Sequence, residues 1–461
     1  AGVKVGDKIL SVNGSSTKGK SVDQVSDYMR GQKGTEVNLL LERIGASSPV
    51  AIKVIRDEIK FKNVPYYGMV NEQTGYIKLT QFLDDASEQV REALIELKKN
   101  NAMQNVILDL RGNGGGLLKE AVEIVNLFVD KGQKVVFQKG KLKEFNAEYY
   151  ASKQAVDTTI KVVVLVDRGS ASASEIVTGA IQELDRGVVI GQRTFGKGLV
   201  QQTYNLSYNT LLKVTIAKYY TPSGRCIQAI DYTNRASANA AAAFNDSLSV
   251  EFKTKHGRSV YDGNGIFPDL YVESKPFSNI TKALAKNYLF FDFANQFVLT
   301  HQSITPAKEF SLTDSEFKEF EKFLSDKIYD YENRTERVLA DLQKAAEKDQ
   351  VLADIKSDFD LLKQKIATSK KRDLATNRTE IKEVLENEIA SRYYYQNGRL
   401  ESRFKYDKEI KEAINTFNNQ QLYDDILSGK GIYGAIGKPG SSVHTLAGSV
   451  EMQGGEEEDH W

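Results

Sequence analysis

Between residues 59 and 275 the apolar positions fall into two alternating patterns. Short apolar runs at 75–79, 105–110, 161–166 and 187–190 read as buried strands. Between them, 85–99 and 117–129 repeat apolar residues at helical spacing, the first opening on acidic residues that suit the positive end of a helix. This alternation predicts an α/β core. Residues 1–58 read instead as a small β-rich module: a strand over 8–12, an Asn13-Gly14 turn, a helix capped by Ser21 with Val22, Val25 and Met29 on one face, and strands over 37–42 and 50–56. Residues 276–428 are helical in pattern almost throughout, including 314–327, 331–348 and 378–395. Their dense charge and narrow apolar stripe suit a solvated bundle or a partner-binding arm. Residues 429–461 are glycine-rich, end on acidic residues and read as a mobile tail. The stretch 232–250, with Ala236 to Ala243 at its heart, breaks the strand rhythm and is expected to be an insertion or loop, with an alanine-rich helix as the alternative.

Composition narrows the function. At 461 residues the chain is too long for one core and calls for several domains. Lys plus Arg and Asp plus Glu both number 62, so no overall field draws the chain to nucleic acid or anionic lipid, and no polyanionic partner is expected. The lone Cys226 cannot form an intrachain disulfide and has no Cys/His set around it, so neither a structural zinc nor any other cofactor is expected. No apolar run reaches the roughly 18 residues needed to span a bilayer, and the N-terminus has no basic segment followed by an apolar one.

Two segments carry candidate chemistry. Gly169-Ser170-Ala171-Ser172-Ala173-Ser174-Glu175-Ile176 is a turn of small residues between a buried strand and a helix. Such a turn can present a serine hydroxyl at the sheet edge, where free N–H groups at the helix start favour a developing oxyanion. Taken alone, it could equally be an ordinary serine cap. Phe195-Gly196-Lys197-Gly198-Leu199-Val200-Gln201 places a lysine between glycines in apolar surroundings. A lysine that loses solvation more readily becomes a neutral amine able to take a proton from serine; the competing reading is a surface hairpin lysine. The histidines are His256, His301, His444 and His460, and only His256 lies near the α/β core, so a lysine base is better supplied than a histidine base.

Together these segments resemble the carboxyl-terminal processing, or tail-specific, proteases, whose motifs G-S-A-S-A-S-E-I and F-G-K-G-x-V-Q are matched letter for letter. Asp109-Leu110-Arg111-Gly112-Asn113-Gly114-Gly115-Gly116 resembles a third family turn, and it lacks the lysine and hydroxyl of a phosphate loop. The module at 1–58 resembles the later two-thirds of a PDZ domain, and the chain is expected to begin inside it. The resemblance implies a partial PDZ-like module at 1–58, a peptidase core of the ClpP/crotonase-like α/β type at 59–275, a helical domain at 276–428 and a flexible tail at 429–461. It further implies Ser172 as nucleophile, Lys197 as general base, Gln201 orienting the lysine, and backbone N–H groups of Gly115 and Ala173 as the oxyanion hole. Glu183 is read as structural. Val22, Val25 and Met29 are the expected peptide-binding residues. The implied activity is endopeptidase cleavage of unstructured proteins with free C-termini, in an exported protein with a homo-oligomer or adaptor contact through the helical region. The rivals are a binding protein on the same fold and an interaction scaffold with a vestigial core.

Overall fold

The computed structural model describes residues 2–59, 61–100, 102–231, 242–243, 249–370 and 372–438. They form two compact units, Ala1–Lys60 with Lys275–Tyr406, and Phe61–Ser274 with the chain from Asp407 onward.

The N-terminal module consists of β1 (Lys8–Val12), β2 (Ser15–Ser16), α1 (Val22–Met29), β3 (Glu36–Glu42) and β4 (Val50–Ile55), with the sheet order β2-β1-β3-β4. Strict alternation along β3 buries Val37, Leu39 and Leu41 and leaves the residues between them exposed. Ser21 caps α1 in a reciprocal box with Gln24, as its position before the helical stripe suggests.

The second unit is the α/β core. It runs through β5 (Tyr66–Met69), β6 (Thr74–Lys78), α2 (Ala86–Lys98), β7 (Asn105–Asp109), α3 (Leu118–Asn126), β8 (Lys134–Gly140), β9 (Ala147–Tyr150), β10 (Lys161–Val166), α4 (Ala173–Glu183), β11 (Val188–Gly191), β12 (Leu199–Asn205), β13 (Leu211–Tyr220), the short pair β14 (Ile230–Asp231) and β15 (Ala242–Ala243), β16 (Glu251–Lys253), β17 (Ser259–Tyr261) and β18 (Leu270–Tyr271). The main sheet has the order β18-β11-β10-β7-β6-β5, parallel except for the antiparallel edge strand β5. Its central strands read as unbroken apolar runs because both faces are covered. Val106, Leu108, Val162 and Val164 pack in one cluster with residues of α2, α3 and α4. The alternate residues Ile107, Val163, Leu165, Val188 and Ile190 are just as fully buried. A second antiparallel sheet, β12-β13-β8-β9, has no counterpart in the expected elements. In the expected 232–250 insertion, Ala242–Ala243 pair with Ile230–Asp231, and 232–241 and 244–248 lie outside the described residues.

The helical region comprises α5 (Asn279–Lys286), α6 (Leu289–Thr300), α7 (Asp314–Phe323), α8 (Arg334–Lys348), α9 (Leu352–Lys370), α10 (Asp373–Thr376) and α11 (Arg378–Arg403). Phe290, Phe293 and Phe297 on α6 meet Phe317 and Phe320 on α7 and Leu385 and Ile389 on α11 in a second core.

The helices expected over 276–428 divide between the units at Tyr406. α12 (Lys408–Asn418) lies against β7, β10 and β11, and α13 (Gln420–Ser428) lies against β11, so both cover the main sheet. The Tyr423 hydroxyl accepts from the Val162 N–H at 3.1 Å. The expected mobile tail is anchored at its start: β19 (Ala435–Ile436) pairs in parallel with β17, and Ile436 is buried against Val260 and Phe267. Burial of this one apolar residue overrides the glycine-rich composition that suggested mobility. The remainder of that expected tail, 439–461, with His444 and His460, lies outside the described residues.

Candidate active site

Ser172 stands between β10 and α4 as the residue just before the helix, with φ 57° and ψ −112°. A non-glycine residue in that region is strained, and strain of this kind is held only where the surroundings over-determine it. Here they do. Ser170 Oγ donates to Leu110 O at 2.9 Å, the Ala171 N–H donates to Asn113 O at 3.0 Å, and Ser174 Oγ donates to the same carbonyl at 2.8 Å. The two flanking serines therefore fasten the Ser172 turn to the 109–116 turn, and Ser172 alone of the three is partly open to solvent.

Glycine at 115 lets that neighbouring turn approach. A Cβ there would come within 2.6 Å of Ala171 O, 2.8 Å of Ser172 Cβ and 2.9 Å of Ala173 N. Gly115 and Ala173 are thus brought together beside Ser172. The Gly115 N–H itself donates to Asn113 Oδ1 at 2.9 Å, inside its own turn.

Lys197 is half-buried, less enclosed than its apolar neighbours in sequence suggest. Gly196, at φ 86°, lets the loop lie against Ala229 and Gly265, where any Cβ would collide at 2.4 Å. Among the described residues no hydrogen bond joins the side chains of Ser172, Lys197 and Gln201. The structure ties the two loops through their backbones instead. The carboxylate of Glu175 accepts the N–H of Ser172 at 2.9 Å and that of Lys197 at 2.8 Å on Oε2, and the Gly196 N–H at 2.7 Å and Thr194 Oγ at 2.6 Å on Oε1. The Tyr219 hydroxyl donates to the carbonyls of both Ser172 and Lys197. Glu175 is fully buried; burial raises its pKa, and the four donors act in the opposite direction.

His256 sits elsewhere. Its backbone N–H donates to Asp185, just past the far end of the 11-residue helix α4, about 16 Å along that helix from Ser172. Glu183 is fully enclosed in an ion pair with Arg225 at 2.5 Å, in keeping with a structural role.

Comparison with known proteins adds sequence matches over this region. Residues 73–234 match peptidase family S41. The match places an S41-type peptidase core within the α/β unit. Residues 1–43 match the PDZ domain, and residues 280–417 match the C-terminal helical domain of probable PDZ-proteases. Similar proteins include the carboxy-terminal-processing protease of Bartonella bacilliformis, 37% identical over 50% of this chain and 54% of that protein. A probable CtpA-like serine protease of Staphylococcus epidermidis is 43% identical over 49% of this chain and 45% of that one. The chain spans about half the length of these curated relatives. Among solved structures, the photosystem II D1 C-terminal processing protease is 32% identical over 49% of this chain and 61% of that one, with a TM-score of 0.33.

Two residues that tie the S41 core together escaped the sequence reading. Glu175 carried a signal, the Ser-x-x-Glu spacing of a capping box after Ser172. Tyr219 carried none beyond strand alternation.

Beneath the 109–116 turn of the S41 core lies a charged network. Asp109 accepts from Tyr76 at 2.6 Å, from Lys78 at 3.1 Å and from Arg111 through two nitrogens, and Arg111 reaches on to Asp407, the cap of α12. Burial works against the Asp109 charge, but the Arg111 and Lys78 cations outweigh it and hold the carboxyl well below the usual carboxylate range. A depressed folded-state pKa contributes stability that is present above the unfolded value of about 3.9 and is lost as pH falls below it. Asp109→Asn is therefore expected to cost about 3 kcal/mol at pH 7 by leaving its cations under-compensated. Urea midpoints should show that gap at pH 7 and a narrower one at pH 3; an equal gap at both would contradict it.

Val22, Val25 and Met29 do share a surface. With Ile9, Leu10 and Thr17 they line a groove of ≈ 870 Å³ beside α1.

Proposed function

We propose that this chain is a serine endopeptidase that cleaves unstructured polypeptides through an acyl-enzyme on Ser172, with Lys197 as general base. The observation that carries this reading is the strained Ser172 held against the Lys197 loop by Glu175 and Tyr219. In this mechanism Ser172 Oγ bonds to the scissile carbonyl carbon and its proton passes to the neutral Lys197 amine. The C–N bond then breaks, and the same proton goes to the departing nitrogen. Water next attacks the ester, its proton returns through Lys197 to Ser172 Oγ, and the carboxylate product leaves. Gln201 orients the amine. The Ala173 N–H at the start of α4 supports the oxyanion, joined by that of Gly115 when it releases Asn113. The groove at Val22, Val25 and Met29 receives the substrate C-terminus, the helical unit serves self-association or an adaptor, and the protein works outside the cytoplasm.

A fluorophosphonate probe followed by peptide mass mapping tests the reading. The label is expected on Ser172 and strongly diminished in Lys197→Ala. A peptide with a free C-terminus should have a lower KM than its amide. Labelling at another serine, or undiminished labelling in the lysine variant, would remove the dyad.

A further inference from the structure

The sheet that starts just after the Lys197 loop ends, among the described residues, on an open edge. In the order β12-β13-β8-β9, β12 has a partner on one side only among the described residues, and it begins two residues after Lys197. The Leu206 N–H donates to Thr210 O, and the register continues through Tyr204 with Leu212 and Gln202 with Val214. Hydrogen-bonded and non-bonded pairs alternate in an antiparallel ladder, so the N–H and C=O groups of Gln201, Thr203 and Asn205 point away from β13. The register shift near the dyad adds its extra residue, Ile216, to β13, which leaves β12 regular.

Open edges are ordinarily blunted by charge, proline or shortness. The opposite edge strand of this sheet, β9, is short and carries Glu148. From Leu199 to Leu206, by contrast, there is no charged residue and no proline. Beyond it, two large side chains stand out beside the polar Ser207, Asn209 and Thr210 of the hairpin tip: Tyr208 is 96% and Leu211 68% exposed.

We propose that β12 is the strand on which the substrate chain adds as a further strand, its backbone pairing with Gln201, Thr203 and Asn205, while Tyr208 and Leu211 hold the flanking side chains. Seven residues of strand span roughly 23 Å, enough to align the scissile bond with a serine next to the strand's first residues. An unfolded chain is the partner this edge fits, because its whole backbone is free to pair, whereas a folded one offers only its own sheet edges. The proposal rests on the peptidase reading above.

The test is an N-methyl walk along an unfolded substrate peptide, one backbone amide at a time. kcat/KM is measured with the wild-type chain, and binding is measured with Ser172→Ala. Expected is a loss of about tenfold or more at every second amide and little between, the period of a strand. Thr203→Pro, which removes an outward amide without touching the β13 ladder, should raise KM about tenfold with kcat held, and Thr203→Val should restore it. A flat or non-alternating walk overturns the proposal even if the proline variant misfolds. If Ser172 is labelled and cleavage proceeds while the walk is flat, strand addition alone has failed. If Ser172 neither reacts nor cuts, the peptidase reading has failed.

Discussion

Ser172→Ala is expected to lower cleavage of a denatured protein by about a thousandfold or more, the scale of losing a nucleophile, with the fold unchanged. The flanking serines should behave in the opposite way. Ser170 and Ser174 are fully buried, and their hydroxyls hold Leu110 O and Asn113 O. Ser170→Ala and Ser174→Ala each remove one of two donors from a buried carbonyl, Leu110 O keeping the Asn113 N–H and Asn113 O the Ala171 N–H, which costs about 0.5–1.5 kcal/mol. Activity at room temperature should stay within about tenfold of wild type. Melting curves and kcat/KM for the three variants separate the roles: one loses rate and keeps stability, and two lose stability and keep rate. An equal loss of rate in all three would refute the choice of nucleophile.

Lys197→Ala should be nearly as inactive, by about a thousandfold, and just as stable as the parent. The reason lies in how the loop is held. Glu175 grips the Lys197 N–H and Tyr219 its carbonyl, so the side chain can be removed without untying the loop. Glu175→Ala provides the contrast. It strips an acceptor from three N–H groups and the Thr194 hydroxyl at once, at an expected cost of about 3–5 kcal/mol. That variant should lose stability and rate together. Assay and thermal melt of both variants check this; full activity in Lys197→Ala would end the case for a lysine base.

How much of this was legible in the sequence depended on how far apart the interacting residues lie. The alternation in β3, the apolar runs of β7 and β10 and the Ser21 cap are local patterns, written within a few residues. The two motif segments around Ser172 and Lys197 were readable because each is contiguous. The bonds that join them were not. Glu175 reaches Lys197 across 22 residues, and Tyr219 reaches Ser172 across 47, through side chain to backbone contacts that impose no pattern on the residues they touch. The roles of α12 and α13 were hidden for a similar reason. Their apolar stripes match those of the helices before them, and nothing in a stripe says which surface it will meet.

The placement of α12 and α13 also sets an order of events in the life of the chain. The bond between Val162 and Tyr423 closes a loop of 261 residues. At the ribosome, β7, β10 and β11 emerge long before the helices that cover their second face, and an entire helical region is translated in between. Until then Ile107, Val163 and Leu165 face water, and Arg111 lacks the Asp407 carboxylate that braces the turn beside Ser172. Contacts of such long range form late, because the entropy of loop closure must be met before they return anything. The floor beneath Ser172 is thus completed only once α12 and α13 have been made, and a chain stopped short of them holds Ser172 on an unfinished sheet.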